Sequence, residues 1–259
     1  MAFNNWPALW FDMPLAVFDL ETTGLDPQSC EIIEVGIVQF YRGEVIKQFD
    51  WFVDPECEIP EQVVKLTHIT QEDVTGQPKL REIVPDILKA FEGHGIVAYN
   101  IAFDKTVLTH KLEALGKRWP SANPILDPLI FAEHFYPNQG NKLGMVSERL
   151  GVSLEGAHRA CNDAEATGKV LYAFRDRLPP DLETLLLLQA QWEREIQERR
   201  QRWRRPTSGA DSELSALMSK QASATKGLSI AFAYAPETDP LRALYANVPN
   251  AAPRSKPID

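Results

Sequence analysis

Hydrophobic positions along the chain change their spacing several times, and each change predicts a different element. Residues 15–21 form a short, mostly apolar stretch that predicts a strand. Residues 31–40 and 44–53 are rich in Ile, Val, Phe and Trp and are separated by an Arg-Gly turn signal, so they predict a hairpin after the first strand. Residues 96–99 predict a further buried strand.

The other periodic segments have helical spacing. Thr70 followed by Asp73 is typical of a helix N-cap with an acid three residues later. Helices are predicted over residues 80–92, 103–115 and 159–177. Three strands in succession, followed by strands that alternate with helices, favour an α/β or α+β sheet domain.

The composition changes after residue 180, which divides the 259-residue chain into a body over 1–180 and two further parts. Residues 181–205 predict an Arg-rich amphipathic helix that holds five arginines in its last seven positions. Its apolar stripe is formed by Leu185, Leu188, Trp192, Ile196 and Trp203. Residues 206–259 hold six of the nineteen prolines and predict a loose, flexible tail, with a short helix near 211–220.

Composition narrows the class of protein. Hydrophobic residues make up 44% and charged residues 24%, which excludes a wholly disordered chain, a collagen-like fibre and a coiled-coil rod. No apolar run is long enough to cross a bilayer, and no basic residue precedes the first apolar stretch, so we expect neither a membrane partner nor secretion. Three scattered cysteines match neither a disulfide framework nor a zinc motif, which suits a cytoplasmic protein.

Charge is distributed unevenly along the chain. The whole chain carries −9, whereas residues 181–259 contain 11 basic and 10 acidic residues, which leaves 16 basic and 26 acidic residues, or −10, in 1–180. An acidic body argues against non-specific nucleic-acid binding through a broad basic face. It is compatible with an enzyme that holds phosphates through metal ions.

Candidate chemistry is concentrated in acidic residues at predicted element ends. Asp19 and Glu21 are two apart on an apolar strand, so both project from one face, where a divalent cation would offset their burial. The alternative is a strand end that emerges into solvent.

Asp104 near the start of a helix is equally typical of an acid that complements the helix dipole. Asp163 shares a helix face with Thr167, Val170 and Phe174, so it lies on a core-directed stripe. His158, just before that helix, fits either a structural or a catalytic role.

Taken together, these motifs resemble those of the DEDDh (DnaQ-like) 3′→5′ exonuclease family, over roughly residues 14–178. Asp19-x-Glu21, Asp104 and His158-x4-Asp163 stand in the order of the three family motifs. The similarity extends to FDLETTGLDP (18–27), LTHIT (66–70), VAYNIAFDKTVL (97–108), ILDPLIFAEHFYP (125–137) and HRACNDAEATGKVL (158–171). The resemblance implies a ribonuclease-H-like fold, in which helices flank a mixed five-stranded sheet and a C-terminal helix and loose tail follow.

The resemblance also implies a mechanism. Two Mg²⁺ or Mn²⁺ ions would be held by Asp19, Glu21, Asp104 and Asp163, with His158 as the general base. Residues that would bind the substrate are Thr22, Thr23, His68, Asn100 and Phe103. His68 stands where the family often has Gly, and Tyr99 where it often has His; both positions flank the substrate groove in relatives, so the departures bear on substrate details rather than on the reaction.

The predicted function is metal-dependent 3′→5′ exonucleolysis of mostly single-stranded DNA. One alternative is a 3′→5′ exoribonuclease, and another is a non-catalytic scaffold module, against which the complete set of acids argues. The arginines at 199–205 fit either a grip on nucleic acid through phosphate contact and stacking or a solvated helix end.

The tail offers a candidate partner site. Residues 227–232 (GLSIAF) resemble the short clamp-binding peptide of replicative proofreading subunits, which predicts a polymerase subunit or a sliding clamp as a partner. Gly227 stands in place of the leading Gln of such peptides. The alternative is an apolar patch folded back onto the body.

Overall fold

A computed structural model describes residues 6–204, apart from the side chains of residues 203 and 204. Its centre is a five-stranded mixed sheet with the strand order β3-β2-β1-β4-β5. The strands are β1 (Leu15–Thr22), β2 (Ile32–Tyr41), β3 (Glu44–Phe52), β4 (Gly95–Val97) and β5 (Ile125–Leu126). The first three strands pair antiparallel, whereas β4 runs parallel to both β1 and β5. The predicted mixed five-stranded sheet is therefore confirmed.

The predicted hairpin between β2 and β3 is confirmed, with a two-residue turn at Arg42 and Gly43. Both turn residues have positive φ, 52° and 90°, as a type I′ hairpin turn requires. This turn geometry matches the twist of the flanking strands, and it fixes the register of β3 on β2.

Eight α-helices cover the sheet within the described residues. They are α1 (Glu61–Thr67), α2 (Gln71–Val74), α3 (Leu80–Phe91), α4 (Ile101–Ala114), α5 (Pro128–Phe135), α6 (Leu143–Leu150), α7 (Ala160–Ala173) and α8 (Leu182–Arg204). Thr70 caps α2, because its hydroxyl accepts the Asp73 N–H while the Asp73 carboxylate accepts the Thr70 N–H. No helix in residues 6–204 is both long and apolar enough to cross a membrane.

Two helices differ from the sequence expectation. Helix α4 begins at Ile101, two residues before the predicted start, because Asn100 in a left-handed conformation forms its N-terminal boundary. Helix α7 ends at Ala173 rather than at residue 177, and a 3-10 turn over Arg175–Arg177 follows. The N–H of Phe174 lies 3.2 Å from the carbonyls of both Val170 and Leu171, a shared bond that marks the change to tighter winding.

The core consists of layers on the two faces of the sheet. On one face, Ala16, Phe18 and Leu20 of β1 pack with α3 and α4. On the other face, Leu15 and Val17 pack with α5, α6, α7 and α8. This alternation is what a strand buried on both faces requires, and it places every odd-numbered residue of β1 towards α7.

Helix α8 packs on the same body. Leu185, Trp192 and Ile196 of the predicted apolar stripe are buried, and the ring of Trp192 meets that of Phe131 at 6.0 Å between centroids. Leu188 is partly buried in the same cluster. The side chain of Trp203, the tail over 206–259 and the clamp-like peptide lie outside the described residues.

Gly36 on β2 allows α7 to approach the sheet closely. A Cβ atom at this position would lie 2.3 Å from the backbone carbon and nitrogen at Ala160 and Cys161. Gly36 pairs with Asp19 across the β1–β2 ladder. The missing side chain therefore brings the start of α7 directly over the position of Asp19.

Gly36→Ala is expected to destabilise the fold, because backbone atoms cannot yield as a flexible side chain can. We expect a loss of about 1–3 kcal/mol in the free energy of unfolding, measured by urea denaturation. Gly144→Ala is the matched control, since its added Cβ would meet only Leu154 at 3.9 Å and it lies in helix α6. A Gly36→Ala variant as stable as the Gly144→Ala control would contradict the close approach.

Candidate functional site

The site is built around the end of strand β1. Asp19 and Glu21 follow Leu15 and Val17 on the face of the strand that is covered by α7. Both carboxyl residues are only partly exposed. The ladder with β2 is irregular between Glu21 and Thr22, so the regular pairing ends immediately after the second acid.

Asp104 joins these acids from helix α4. It lies in the first turn of the helix and is 5% exposed, and its Oδ1 accepts the backbone N–H of Leu20 at 3.1 Å. Leu20 stands between Asp19 and Glu21, so this single bond ties the carboxylate of α4 to the part of β1 that holds the other two acids.

His158 lies two residues before helix α7, and Asp163 lies in the first turn of that helix. Ligand atoms of Glu21, His158 and Asp163 all lie within 4.8 Å of one another. The backbone N–H of His158 donates to Asp163 Oδ2 at 3.2 Å, and His158 itself is exposed with φ of 67°. The other carboxylate oxygen of Asp163 is buried and has no hydrogen-bond partner among the described residues. An unpartnered buried oxygen beside another carboxylate and an imidazole fits a cation ligand.

Burial and mutual repulsion raise the pKa values of these acids. Burial, followed by the charges of Asp104 and Asp163, raises the pKa of Asp19 well above its usual range. The same causes, burial first and Asp163 second, raise the pKa of Glu21 to about 8. Burial raises the pKa of Asp104 to about 7 although the Leu20 N–H opposes the change. Burial also raises the pKa of Asp163. The cluster thus lacks the positive charge that would let all four acids ionise.

Glu34 is a site residue that the motif analysis did not identify. It is fully buried on β2 opposite Glu21, and its Oε2 accepts the N–H of Ala160 at 2.9 Å. Its Oε1 accepts from Nε and Nη2 of Arg159, each at 2.8 Å. Glu34 therefore fixes the first residues of α7, between His158 and Asp163. The available signal was an acid within the otherwise apolar run of β2.

Asp127 is a second buried residue near the site that the motif analysis did not identify. It is 5% exposed, and its carboxylate accepts the N–H groups of Asn100, Ile101 and Leu129 at 2.9, 3.1 and 3.0 Å. It therefore caps α5 and simultaneously holds the start of α4. Burial raises the pKa of Asp127 to about 6. The signal was Asp immediately before Pro128, a helix-start pattern.

The five residues predicted to bind substrate lie at loop and helix boundaries. The hydroxyl of Thr22 donates to the Gly24 carbonyl at 2.7 Å, and that of Thr23 accepts the Glu31 N–H at 2.9 Å. Phe103 is partly buried against the core. His68 and Asn100 are exposed.

Three predicted site residues have left-handed backbone. His68, Asn100 and His158 have φ values of 60°, 63° and 67°, within a group of six such non-glycine residues in residues 6–204. Residues held in this conformation concentrate at functional sites. The backbone of three separate elements is thus constrained where the predicted site lies.

Comparison with known sequences finds an exonuclease family model and DNA polymerase III relatives. The family model described as Exonuclease (RNase T) matches residues 16–171. The PolC-type DNA polymerase III of Clostridium perfringens is 40% identical over 162 residues, which cover 62% of this chain and 11% of that protein. The enzyme of the same name from Streptococcus suis is 34% identical over 67% of this chain and 12% of its own length. The chain thus spans only about a ninth of the length of these curated relatives.

Solved structures with the same fold are also exonucleases. Exonuclease X in complex with 5′ overhanging duplex DNA has a TM-score of 0.55 at 20% identity, over 68% of this chain and 99% of that chain. Escherichia coli Exonuclease I with a dA16 oligonucleotide has a TM-score of 0.58 at 18% identity, over 66% of this chain and 42% of that chain. A 3′-exonuclease that recognises the histone mRNA stem-loop has a TM-score of 0.56 at 20% identity, over 64% of this chain and 65% of that chain.

The chain belongs to the DEDDh exonuclease family, because the family model covers more than half of its length. This family depends on divalent metal ions. The ribonuclease-H-like fold and the hydrolase class expected from the sequence are confirmed by the same comparisons.

The raised pKa values predict that the metal-free protein loses stability as the pH rises. The pKa of Glu21 is about 8 when folded and starts from an ordinary value of 4.5, so its contribution is complete below pH 4.5 and disappears as the pH rises through 8. Urea unfolding in EDTA at pH 5, 6.5 and 8 should show this decline. Excess Mg²⁺ or Mn²⁺ should restore stability at pH 8.

Glu21→Gln is the control for this titration, because the amide cannot ionise. The wild-type protein should lose more stability than Glu21→Gln between pH 5 and 8. Equal slopes in EDTA, or no stabilisation by either ion at pH 8, would contradict a repulsive, metal-binding cluster.

Glu34→Gln should destabilise the protein by about 1–3 kcal/mol, because the buried N–H of Ala160 and the guanidinium of Arg159 lose a charged acceptor. Glu61→Gln is the matched control, since Glu61 pairs with Lys65 in an exposed i,i+4 position worth about 0.3–0.5 kcal/mol. Urea denaturation measures both variants. Equal losses would show that Glu34 does not fix the start of α7.

Proposed function

We propose that this exonuclease-family chain removes nucleotides from the 3′ end of single-stranded DNA by metal-dependent phosphodiester hydrolysis. The observation that carries the proposal is the convergence of Glu21, His158 and Asp163 within 4.8 Å, beside Asp19 and Asp104. Four acids with raised pKa values and one imidazole match the requirements of this chemistry.

The acids fit two divalent ions. Asp19, Glu21 and Asp163 would hold one ion, and Asp19 with Asp104 would hold the second. Carboxylate oxygens are hard ligands, which favours Mg²⁺ or Mn²⁺. When bound, two such ions supply a nucleophilic water at neutral pH and stabilise the charge on the leaving oxygen.

His158 is proposed as the general base that takes the proton of the attacking water. Its exposure leaves the imidazole accessible to water, and its backbone bond to Asp163 holds it beside the acids. Only the neutral imidazole accepts a proton, so this step requires deprotonated His158. Glu34 and Arg159 would act through this loop as positioning residues.

Substrate contacts are assigned to the loops around the acids. Thr22 and Thr23 would meet the terminal 3′-OH, since they directly follow Glu21 on the chain. His68, Asn100 and Phe103 would line the last nucleotides. The Asp127 carboxylate accepts the N–H groups of Asn100 and Ile101 and so holds the start of α4. This would keep Asn100 in a fixed position relative to Asp104 on the same helix.

DNA is favoured over RNA as the substrate because the curated relatives are DNA polymerases. A 3′→5′ exoribonuclease is the second candidate, supported by the structural likeness to the histone-mRNA 3′-exonuclease. A scaffold role without catalysis is disfavoured, because Asp19, Glu21, Asp104 and Asp163 are all present. We further propose a cytoplasmic setting and association with a polymerase subunit, in keeping with the names of those relatives.

Asp19→Ala and Asp163→Ala should abolish cleavage, because each removes a proposed metal ligand. His158→Ala should lower the rate by about 10²–10⁴-fold while metal binding by calorimetry remains. Asp86→Ala, an exposed acid on α3, is the control and should cleave at the wild-type rate. Full activity in Asp163→Ala would refute the assignment.

Polarity and substrate class are tested on matched oligonucleotides. A 5′-labelled DNA strand should give a descending ladder, and a blocked 3′ end should resist cleavage. Faster cleavage of the matched RNA strand would support the ribonuclease alternative. Efficient cutting of closed circles would exclude an exonuclease that starts from a 3′ end.

A further inference from the structure

A groove of about 700 Å³ lies beside the proposed site, between α5, α8 and the loop that precedes α6. We call it the α8 groove. Tyr99 and Asn100 line it at the end of β4, Lys142 lines it before α6, and Arg199 and Arg200 line it from α8. The two arginines lie beyond residue 171, where the family match ends. The groove therefore contains a wall that the family motifs do not describe.

The charge of the α8 groove is opposite to that of the body. Three cations, Lys142, Arg199 and Arg200, line it together with one carboxylate, Glu133, which gives +2. The acidic and basic residues of 1–180 sum to −10. A local positive surface next to a cluster of acids is suited to a polyanion that must reach those acids.

Contacts within the wall hold the arginine end of α8 in place. Arg200 pairs with Glu133, and Nη2 of Arg199 donates to the Glu133 carbonyl at 3.4 Å. Ile196 is buried one turn earlier in the helix. Lys142, in contrast, is exposed and makes no ion pair with any residue in the described part of the chain. One cation of the groove is thus unpaired, and another is bonded only to a neutral carbonyl.

The remaining lining suits nucleotides rather than a purely ionic ligand. Asn100, Asn138 and Gln139 offer amide groups that both donate and accept hydrogen bonds. The hydroxyl of Tyr99 donates to the Asn141 carbonyl at 2.6 Å, which anchors an aromatic ring within the lining. Stacking of a base on such a ring is favourable and tolerates any sequence, because every base has an aromatic face.

The α8 groove adjoins the elements that carry the acids. Asn100, which lines the groove, forms the N-terminal boundary of α4, and Asp104 lies in the first turn of the same helix. A strand that reaches the acids from this side would therefore pass through the groove.

From these observations we infer that the α8 groove binds the strand upstream of the 3′ end, with Lys142 and Arg199 on its phosphates and Tyr99 against a base. This inference rests on the proposed exonuclease function. It assigns the arginines of the C-terminal helix to substrate binding, and it predicts that affinity depends on strand length.

The test uses the full chain with Lys142→Glu and Arg199→Glu combined, and compares a dT 12-mer with a dT 3-mer. Binding is measured by fluorescence anisotropy in EDTA, so that it does not depend on hydrolysis. The double variant should lose about tenfold more affinity for the 12-mer than for the 3-mer. Because two phosphate contacts are removed, the slope of log K against log salt for the 12-mer should fall by about 1.4.

Arg194→Glu is the matched control, because Arg194 is exposed on α8 outside the groove. It should bind the 12-mer with nearly the wild-type salt slope. An equal loss of affinity for the 12-mer in Arg194→Glu would overturn the inference. An unchanged slope of log K against log salt in the double variant would do the same. Melting curves verify that each variant is folded. Lys142→Ala, which removes no contact of α8, should by itself lower the slope of log K against log salt for the 12-mer by about 0.7.

Hydrolysis is measured separately, so that the two proposals can fail independently. If wild type cleaves no oligonucleotide with either metal ion, the exonuclease function fails whatever the anisotropy shows. If wild type cleaves the 12-mer and the double variant retains the same KM for it, the groove inference fails while the function stands.

Discussion

Mutual repulsion among carboxylates at the end of β1 is the constraint to which the rest of the site responds. At an effective dielectric constant of about 20, two charges 4.8 Å apart, the limit within which Glu21 and Asp163 lie, repel by roughly 3.5 kcal/mol. The surrounding structure holds them nevertheless. Leu20 fixes Asp104, the His158 backbone fixes Asp163, and Glu34 fixes the first turn of α7. The fold gives up stability here to keep the acids together, as the proposed cation site requires.

Close backbone packing is what makes this concentration of charge feasible. Gly36 lets α7 lie against β2, opposite Asp19, so that acids from distant parts of the sequence meet without long side chains. The left-handed residues His158 and Asn100 turn the chain sharply into α7 and α4. Rigid helix and strand ends, rather than mobile loops, therefore hold the acids.

The sequence predicted those parts of the structure that follow from local periodicity. The period of two placed Asp19 and Glu21 on one face, and the helical period placed Asp163 on the stripe with Thr167 and Val170. It did not predict β5, because two residues are too few for a periodic signal. Glu34 and Asp127 were missed because their roles depend on bonds between elements 26 or more residues apart along the chain. The orientation of the α8 arginines depends equally on Glu133, a tertiary contact that no sequence window contains.

Gln189 joins α8 to the β5 edge of the sheet and, through Asp127, to the site. Its side chain accepts the Asp127 N–H at 2.9 Å and donates to the Ile125 carbonyl at 3.1 Å. A recombination event that moved only residues 16–171 into another polypeptide would remove both bonds and would uncover Phe131, whose ring packs against that of Trp192. The same Asp127 holds the start of α4. Any new host would therefore have to cover this edge of the sheet, so the transferable unit of this nuclease is longer than the segment that its family shares.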